Sequence, residues 1–231
     1  MKKFFPVILV SIIIAVSCTG KKQVQKADTT LELGEAWMSD SLFRTPESVI
    51  YDSSRDRLYV SNVNFEPRKK DGNGFISIIS TEGDIINLKW IENLSSPKGM
   101  AINGDTLFVT DVDEVVLIDI AKSEIFRKIP VDSAGMLNDI TKDRSGNLYI
   151  SDTDRNKIHI YSGGKISEWL NRGLIGPNGL LAEENRLLIA FQGNGELEPD
   201  LGAVAQVEGA ELEADLPAAV ADVRDAHLLA D

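Results

Sequence analysis

One strand-like phrase recurs four times in this chain at a nearly constant interval. It reads RLYVSNV, TLFVTDV, NLYISDT and RLLIAFQ, and its leucines Leu58, Leu107, Leu148 and Leu187 are spaced by 49, 41 and 39 residues. A repeat of this length is typical of proteins in which one small supersecondary unit stacks on the next. The first interval also contains NFEPRKKDGNG, which we interpret as a mobile surface loop inserted into the first unit.

Each phrase alternates between side chains that would face opposite sides of a β-sheet, so it predicts a strand. A polar, turn-forming phrase precedes each strand, and further strand-like runs follow, as GFISIIS and INLKWIENL do in the first unit. Short strands without helical runs between them predict an all-β fold, a β-propeller of which about four complete blade repeats are visible. We expect the alternating phrase to be the innermost strand of each blade, and the polar phrase to be a loop at the mouth of the central channel.

The first residues have the pattern of a targeting segment. Lys2 and Lys3 precede an apolar run that is too short to span a bilayer, and the run ends in AVSC. This ending is similar to a bacterial lipobox, so residues 1–18 are predicted to be a lipoprotein signal with Cys18 as the lipidated residue, and residues 19–34 a polar tether. The alternative is an ordinary secretory signal with an incidental cysteine. Because no Asp follows Cys18, we expect an outer-membrane lipoprotein facing the periplasm or the cell surface.

The remaining residues, 35–231, are predicted to form the propeller domain, in which 197–231 is atypical or truncated. The formal net charge of −12 argues against nucleic acid as a partner, because a polyanion requires a basic surface. Ten acidic residues against a single basic one lie between Glu196 and Asp231. With only two histidines and one cysteine, the chain is also poorly suited to a soft metal site.

Three phrases, PESVIYD, LNDITKDRSGNLYISD and GPNGLLAEENRLL, resemble motifs of the SMP-30/gluconolactonase/LRE-like family within the wider TolB- and NHL-like propeller group. The resemblance covers roughly residues 37–195 and implies a six-bladed propeller that binds Ca²⁺ or another divalent cation. It implies that Glu47 and Asn178 are metal ligands and that Asn138 contacts the substrate. Carboxylate and amide oxygens are the ligands that Ca²⁺ prefers. Taken without the resemblance, Glu47 could cap a turn, and both asparagines could hold loop backbones.

The chain departs from the family pattern at one position. The family places a further Asp, followed by Gly, one blade after its Pro-Asn-Gly motif, as a ligand and catalytic base. Only Asp222 lies near that spacing, without a following Gly, so it is the candidate catalytic residue. Asp111, Asp139 and Asp152 are expected to be structural.

These observations leave three functions open. The first is a metal-dependent hydrolase of a lactone or small ester, in which the cation polarises the carbonyl group and a carboxylate takes a proton from water. The second is a non-catalytic, NHL-like binding module tethered to the cell envelope. The third is an incomplete fragment without a competent site. In each, the expected partners are a small molecule and, through the lipid anchor alone, a membrane.

Overall fold

The computed structural model describes residues 34–184 and 186–193, together with the backbone of the strand at 203–208. Almost all regular structure there is β-strand. The first sheet comprises β1 (Pro46–Asp52), β2 (Arg57–Asn62), β3 (Gly74–Ile79) and β4 (Ile85–Leu94). The second comprises β5 (Met100–Asn103), β6 (Thr106–Asp111), β7 (Glu114–Asp119) and β8 (Glu124–Pro130). The third comprises β9 (Leu137–Lys142), β10 (Leu148–Asp152), β11 (Lys157–Ser162) and β12 (Lys165–Leu170). The last comprises β13 (Pro177–Ala182), β14 (Arg186–Phe191) and β15 (Ala203–Glu208).

Every sheet is an antiparallel meander in which strands that follow each other in sequence are hydrogen-bonded neighbours. Tight turns make this order possible. Gly104 has φ 60° between β5 and β6, and Gly163 and Gly164 have φ 57° and 84° between β11 and β12. These are conformations that glycine adopts without strain, and they fit the predicted hairpin turns.

The sheets stack face to face around a common axis. One apolar core lies between the first and second sheets, with Tyr59 and Val109 among its buried members. A second core joins the second and third sheets, and a third joins the third and fourth. The first strands β1, β5, β9 and β13 contact one another in succession, and the ends of β1, β5 and β9 line one cavity of about 340 Å³. The architecture is therefore a β-propeller, as predicted.

The strand order within each blade differs from the prediction. The polar phrase that we expected to be a loop is itself the innermost strand, and the alternating phrase is the second strand. In the third sheet, for example, Leu137–Lys142 is innermost and Leu148–Asp152 lies beside it. The innermost strands do contribute to the cores between sheets, as Met100 of β5 and Ile140 of β9 show, but the polar residues beside these apolar ones have the sequence pattern of a turn.

The insertion between β2 and β3, residues 63–73, crosses to the neighbouring sheets. The Arg68 guanidinium donates to both carboxylate oxygens of Asp154 in the third sheet's loop, at 3.1 and 2.9 Å. The Lys70 ammonium lies 2.5 Å from an Asp113 oxygen in the second sheet. The Ser96 hydroxyl donates to the Pro67 carbonyl at 3.0 Å. The segment that we interpreted as a mobile loop is thus held at three points on other blades.

The chain divides into two units, Met1–Ala36 and Trp37–Asp231. Cys18 and the predicted tether up to residue 33 lie outside the described residues, as does Asp222, so these predictions remain open. Of the atypical tail, only β15 is described, and it pairs with β14. None of the helical structure in the described part of the chain is long and apolar enough to cross a membrane.

Candidate functional site at the channel mouth

The first strands place four residues at one register position, one per blade. In each first strand, one residue pairs with the residue that stands two places after the repeated leucine of the second strand; these residues are Val49, Met100, Ile140 and Leu180. The candidate site residues stand two positions before these four in the sequence. They are Glu47, Lys98, Asn138 and Asn178. In a propeller this position lies where the innermost strands begin, at one end of the channel. The three residues that the sequence selected, together with Lys98, therefore occupy equivalent register positions in four successive blades.

Backbone contacts fix the distance between the neighbouring blades at this level. The Gly99 amide donates to the Asn138 carbonyl at 2.9 Å, and the Ser151 hydroxyl donates to the Asn178 carbonyl at 2.7 Å. The Thr110 hydroxyl also donates to the Asn138 carbonyl. A hydroxyl on the second strand of one blade thus holds the first strand of the next blade. These bonds occupy backbone carbonyl groups and leave the two asparagine side chains available.

The Glu47 carboxyl group is perturbed by its surroundings. Its surface is open to solvent, yet desolvation by the surrounding protein raises its pKa from 4.5 to about 7. The nearby Lys98 ammonium lowers this pKa and the Asp139 carboxylate raises it. Lys98 belongs to the second blade and Asp139 to the third, so the Glu47 carboxyl group lies within electrostatic reach of both blades. Among the described residues Glu47 makes no hydrogen bond or ion pair.

Lys98 is a charged residue with only 2% of its surface exposed. Its ammonium donates to the Ser96 carbonyl at 2.9 Å and to the Ser96 hydroxyl at 3.0 Å. Burial lowers its pKa, against the opposing influence of the Asp111 and Glu47 carboxylates. Lys98 was not among the site residues predicted from the sequence. The signal that could have found it is the phrase PKGM, in which Lys98 occupies the place that Glu47 holds in PESV.

The two asparagines differ in exposure. Asn138 is 6% exposed, and its side-chain amide makes no hydrogen bond within the described part of the chain. A nearly buried amide without a protein partner costs free energy unless a water or ligand satisfies it. Asn178 is exposed at the start of β13. Because no sealed side-chain N or O atom in the described part of the chain lacks a hydrogen-bond partner, the Asn138 amide must be reached by solvent, so water or a ligand can bind to it.

Asp139 has the structural role that we predicted. Its carboxylate accepts the Ile140 amide at 2.8 Å and the Leu180 amide at 2.7 Å, and so ties the third blade to the fourth. Burial raises its pKa, although these two hydrogen bonds oppose the shift. The carboxylate is engaged with backbone and is not a free ligand.

Asp111 and Asp152 are also structural, as predicted. Asp111 accepts the amides of Ser95 and Ser96 at 2.7 and 2.6 Å, and Asp152 accepts those of Gly135 and Met136. Burial opposes ionisation of Asp152, but hydrogen bonds from His159 and the two amides lower its pKa overall. Each carboxylate ends a second strand and holds the segment that leads into the first strand of its own blade.

The side-chain oxygen atoms at the mouth are of the kind that a hard cation such as Ca²⁺ binds, but their total negative charge is low for such a site. Glu47, Asn138 and Asn178 offer carboxylate and amide oxygens, as Ca²⁺ requires. However, the described residues contain no group of three or more His, Cys, Asp or Glu that could hold a metal ion. Glu47 is one carboxylate beside one lysine, and Ca²⁺ affinity falls as ligand charge is removed. The predicted role of Asp222 as a further ligand lies outside the described residues.

No protein-family model matches the chain, and no curated protein matches it either. Several solved structures match the chain. A luciferin-regenerating enzyme has a TM-score of 0.56 at 14% identity, and a nidogen/laminin complex has 0.57 at 20% identity; each match covers 71% of this chain and 61% of the other. Virginiamycin B lyase from Staphylococcus aureus gives 0.50 at 19% identity, covering 64% and 48%. The chain thus spans about three fifths of the first two, and the similarity establishes a β-propeller fold.

Proposed function

We propose that this propeller binds a small polar molecule at the channel mouth formed by Glu47, Lys98, Asn138 and Asn178. The observation that carries the proposal is the Asn138 amide, which is 6% exposed and has no hydrogen-bond partner among the described residues. An oxygen-rich ligand would satisfy both its N–H₂ and its carbonyl group. Glu47, with a pKa of about 7, could accept or donate a hydrogen bond to the same molecule at neutral pH.

Thermal unfolding with δ-gluconolactone and gluconate as probes tests this proposal. A ligand present at 100 times its Kd stabilises the folded state by about 2.7 kcal/mol, which is readily measured. We expect the unfolding temperature to rise with probe concentration, and the rise to disappear in Asn138→Leu. Asn171→Leu, which alters an exposed asparagine, is the matched control. If the probes shift the unfolding of the wild type and Asn138→Leu equally, the assignment of the site is wrong.

Hydrolysis of a lactone or small ester is the second candidate, and the raised pKa of Glu47 favours it. A group with a pKa of about 7 is well matched to general-base catalysis at neutral pH. Glu47 would take a proton from water while the water oxygen adds to the carbonyl carbon. The C–O bond to the ring or ester oxygen then breaks, Glu47 returns its proton to this leaving oxygen, and a hydroxy acid (from a lactone) or an acid and an alcohol (from an ester) are formed. The Asn138 amide could donate a hydrogen bond to the carbonyl oxygen.

The divalent-cation form of this reaction stays a proposal. Glu47 and Asn178, with Asp222 as the additional carboxylate, would hold Ca²⁺, which supplies Lewis-acid polarisation of a carbonyl group when bound. Rates of δ-gluconolactone opening, measured from pH 5 to 9 with excess Ca²⁺ or with chelator, distinguish the forms. In chelator, we expect the rate of lactone opening to rise with pH, with a midpoint near pH 7, and we expect this rise to be absent in Glu47→Gln. Absence of any protein-dependent rate in both conditions would leave binding as the function.

We also propose that the protein is lipid-anchored through Cys18 in the bacterial envelope, with the polar residues 19–34 as a tether. The support is the sequence alone: a positive start, a short apolar run and small residues before the chain's single cysteine. Such an anchor would hold the binding site at the outer membrane, where small molecules that enter the envelope reach it.

A further inference from the structure

Lys98 occupies the ring position at which the first, third and fourth blades carry Glu47, Asn138 and Asn178. The three other residues present oxygen atoms, whereas the second blade presents a cation. The Lys98 amide donates to the Thr110 carbonyl on the second strand of its blade at 2.9 Å, and the side chain is 2% exposed. The positive charge is therefore built into the ring and is not a surface lysine that happens to lie nearby.

The surroundings of Lys98 leave its charge without a direct counterion. The side chain donates to the two oxygens of Ser96, which are uncharged, and it forms no ion pair with the described residues. Asp111, the nearest in influence, is occupied by two backbone amides, and Asp154 is occupied by Arg68. The Asp111 carboxylate keeps its charge and acts on Lys98 most strongly, and the Glu47 carboxyl group, which has no hydrogen-bond or ion-pair partner among the described residues, acts next. Lys98 is thus a buried ammonium that is hydrogen-bonded to neutral groups and lies within electrostatic reach of Glu47.

A buried charge is screened far less by salt than an exposed one. A divalent cation held by Glu47 and Asn178 would experience repulsion from Lys98 inside protein of low effective dielectric constant. Conversely, a carboxylate or a polarised carbonyl oxygen would be attracted. In a ring made of oxygen atoms alone, a metal ion would provide the positive charge. In this ring, the Lys98 ammonium provides it.

We propose that Lys98 is the resident cation of the channel mouth. It allows the site to take neutral or anionic oxygen-rich ligands, such as a hydroxycarboxylate, without a divalent ion, and it weakens the affinity of the site for Ca²⁺. This inference rests on the proposed function for the location of the ligand, but its test does not require the ligand to be identified.

Calorimetric titration with Ca²⁺ alone tests the inference on the wild type, Lys98→Met and Lys98→Gln. We expect both substitutions to tighten Ca²⁺ binding at least tenfold, because each removes a nearby positive charge. Lys98→Arg, which keeps the charge, should bind Ca²⁺ as weakly as the wild type. Lys122→Met removes an exposed lysine in the same blade and should leave the affinity unchanged. The double variant Lys98→Met/Glu47→Gln should lose the gain.

Circular dichroism and thermal unfolding establish that each variant is folded. Lys98→Gln retains an N–H donor for the Ser96 carbonyl, so the titration can still be carried out on this variant if Lys98→Met does not fold. Equal Ca²⁺ affinity in the wild type and both neutral variants, or no Ca²⁺ binding in any of them, would overturn the inference. A gain in Ca²⁺ binding without any response of the wild type to gluconate would support the role of Lys98 while refuting the proposed ligand.

Discussion

At the scale of single residues, the Glu47 carboxyl group makes stability depend on pH. Its pKa is raised from 4.5 to about 7, so the folded state holds this proton over a range where the unfolded chain releases it. The stabilising contribution is full below pH 4.5 and is lost as the pH rises towards 7. Glu47→Gln stays uncharged at every pH. We therefore expect the variant to gain stability relative to the wild type across this window.

Thermal unfolding of both proteins from pH 4 to 8, in chelator, checks this expectation. The difference in unfolding temperature, variant minus wild type, should increase up to about pH 7 and then level off. Asp139 and Lys98 titrate in both proteins, so their contributions largely cancel in the difference. A difference that does not vary with pH would show that Glu47 is freely solvated.

The same residues show what the sequence could and could not reveal about the site. Glu47, Asn138 and Asn178 were selected because their phrases resemble the motifs of a known propeller family. Lys98 stands at the equivalent place in the repeat, but a lysine in a polar phrase is ordinarily read as solvated. Its burial depends on Ser96 and on the 63–73 segment, which reaches it from another blade. No local pattern encodes that contact.

At the scale of strands, the first strands of the second and third blades approach closely at Gly99. A Cβ atom on Gly99 would lie 2.5 Å from Asp139 Oδ1 and 2.6 Å from Asp139 Cα. We expect Gly99→Ala to force these strands apart and to destabilise the protein by about 2 kcal/mol, as overpacking commonly does. Urea unfolding measures the effect. At Gly179, the equivalent position in the fourth blade, a Cβ would meet Ala190 at 3.6 Å, so Gly179→Ala is the control and should be tolerated.

The Asp111 carboxylate is a second test at this scale. It is 1% exposed and accepts two backbone amides that lead into the first strand of its blade. Asp111→Ala would leave both amides without an acceptor, and we expect a loss of about 3 kcal/mol in the free energy of unfolding. Asp111→Asn keeps one acceptor oxygen and should lose less. Equal, small losses for both variants in urea unfolding would mean that water replaces the carboxylate.

The order of strands in a blade was the part of the fold that the sequence did not reveal. The second strands could be recognised in the sequence by their alternating side chains, because both faces of these strands pack against other parts of the protein. In PESVIYD, Ile50 packs against the core between the first two sheets, whereas Glu47, Val49 and Tyr51 on the opposite face are exposed. Its polar residues give it the sequence pattern of a loop, although its backbone is paired with β2 from Ser48 to Asp52. Strand identity here is set by the ladder of backbone hydrogen bonds, which side-chain pattern does not report.

At the scale of the whole molecule, the four-unit repeat alone was sufficient to predict a propeller, because stacking is the means by which such units bury their apolar faces. Buried residues in the interfaces come from the same repeat positions: Leu107, Leu148 and Leu187 each lie in a core between sheets. The equivalent register of the first strands in successive blades follows from that stacking. The proposed attachment to a membrane does not follow from it and is supported only by the sequence of residues 1–18.

The proposed lipid anchor at Cys18 can be tested by metabolic labelling. In a bacterial host fed an alkyne-bearing fatty acid, we expect the full chain to incorporate the label and to partition into the detergent phase of Triton X-114. Cys18→Ala should incorporate none, because no other cysteine is present. Several acyl chains on one residue give stable anchoring, whereas a single chain is marginal, so the labelled protein should also resist extraction by salt. Lys2→Gln, which retains Cys18, is the control for altered expression. Label that persists in Cys18→Ala would refute the anchor, and secretion of an unlabelled wild-type protein would identify the segment as an ordinary signal peptide.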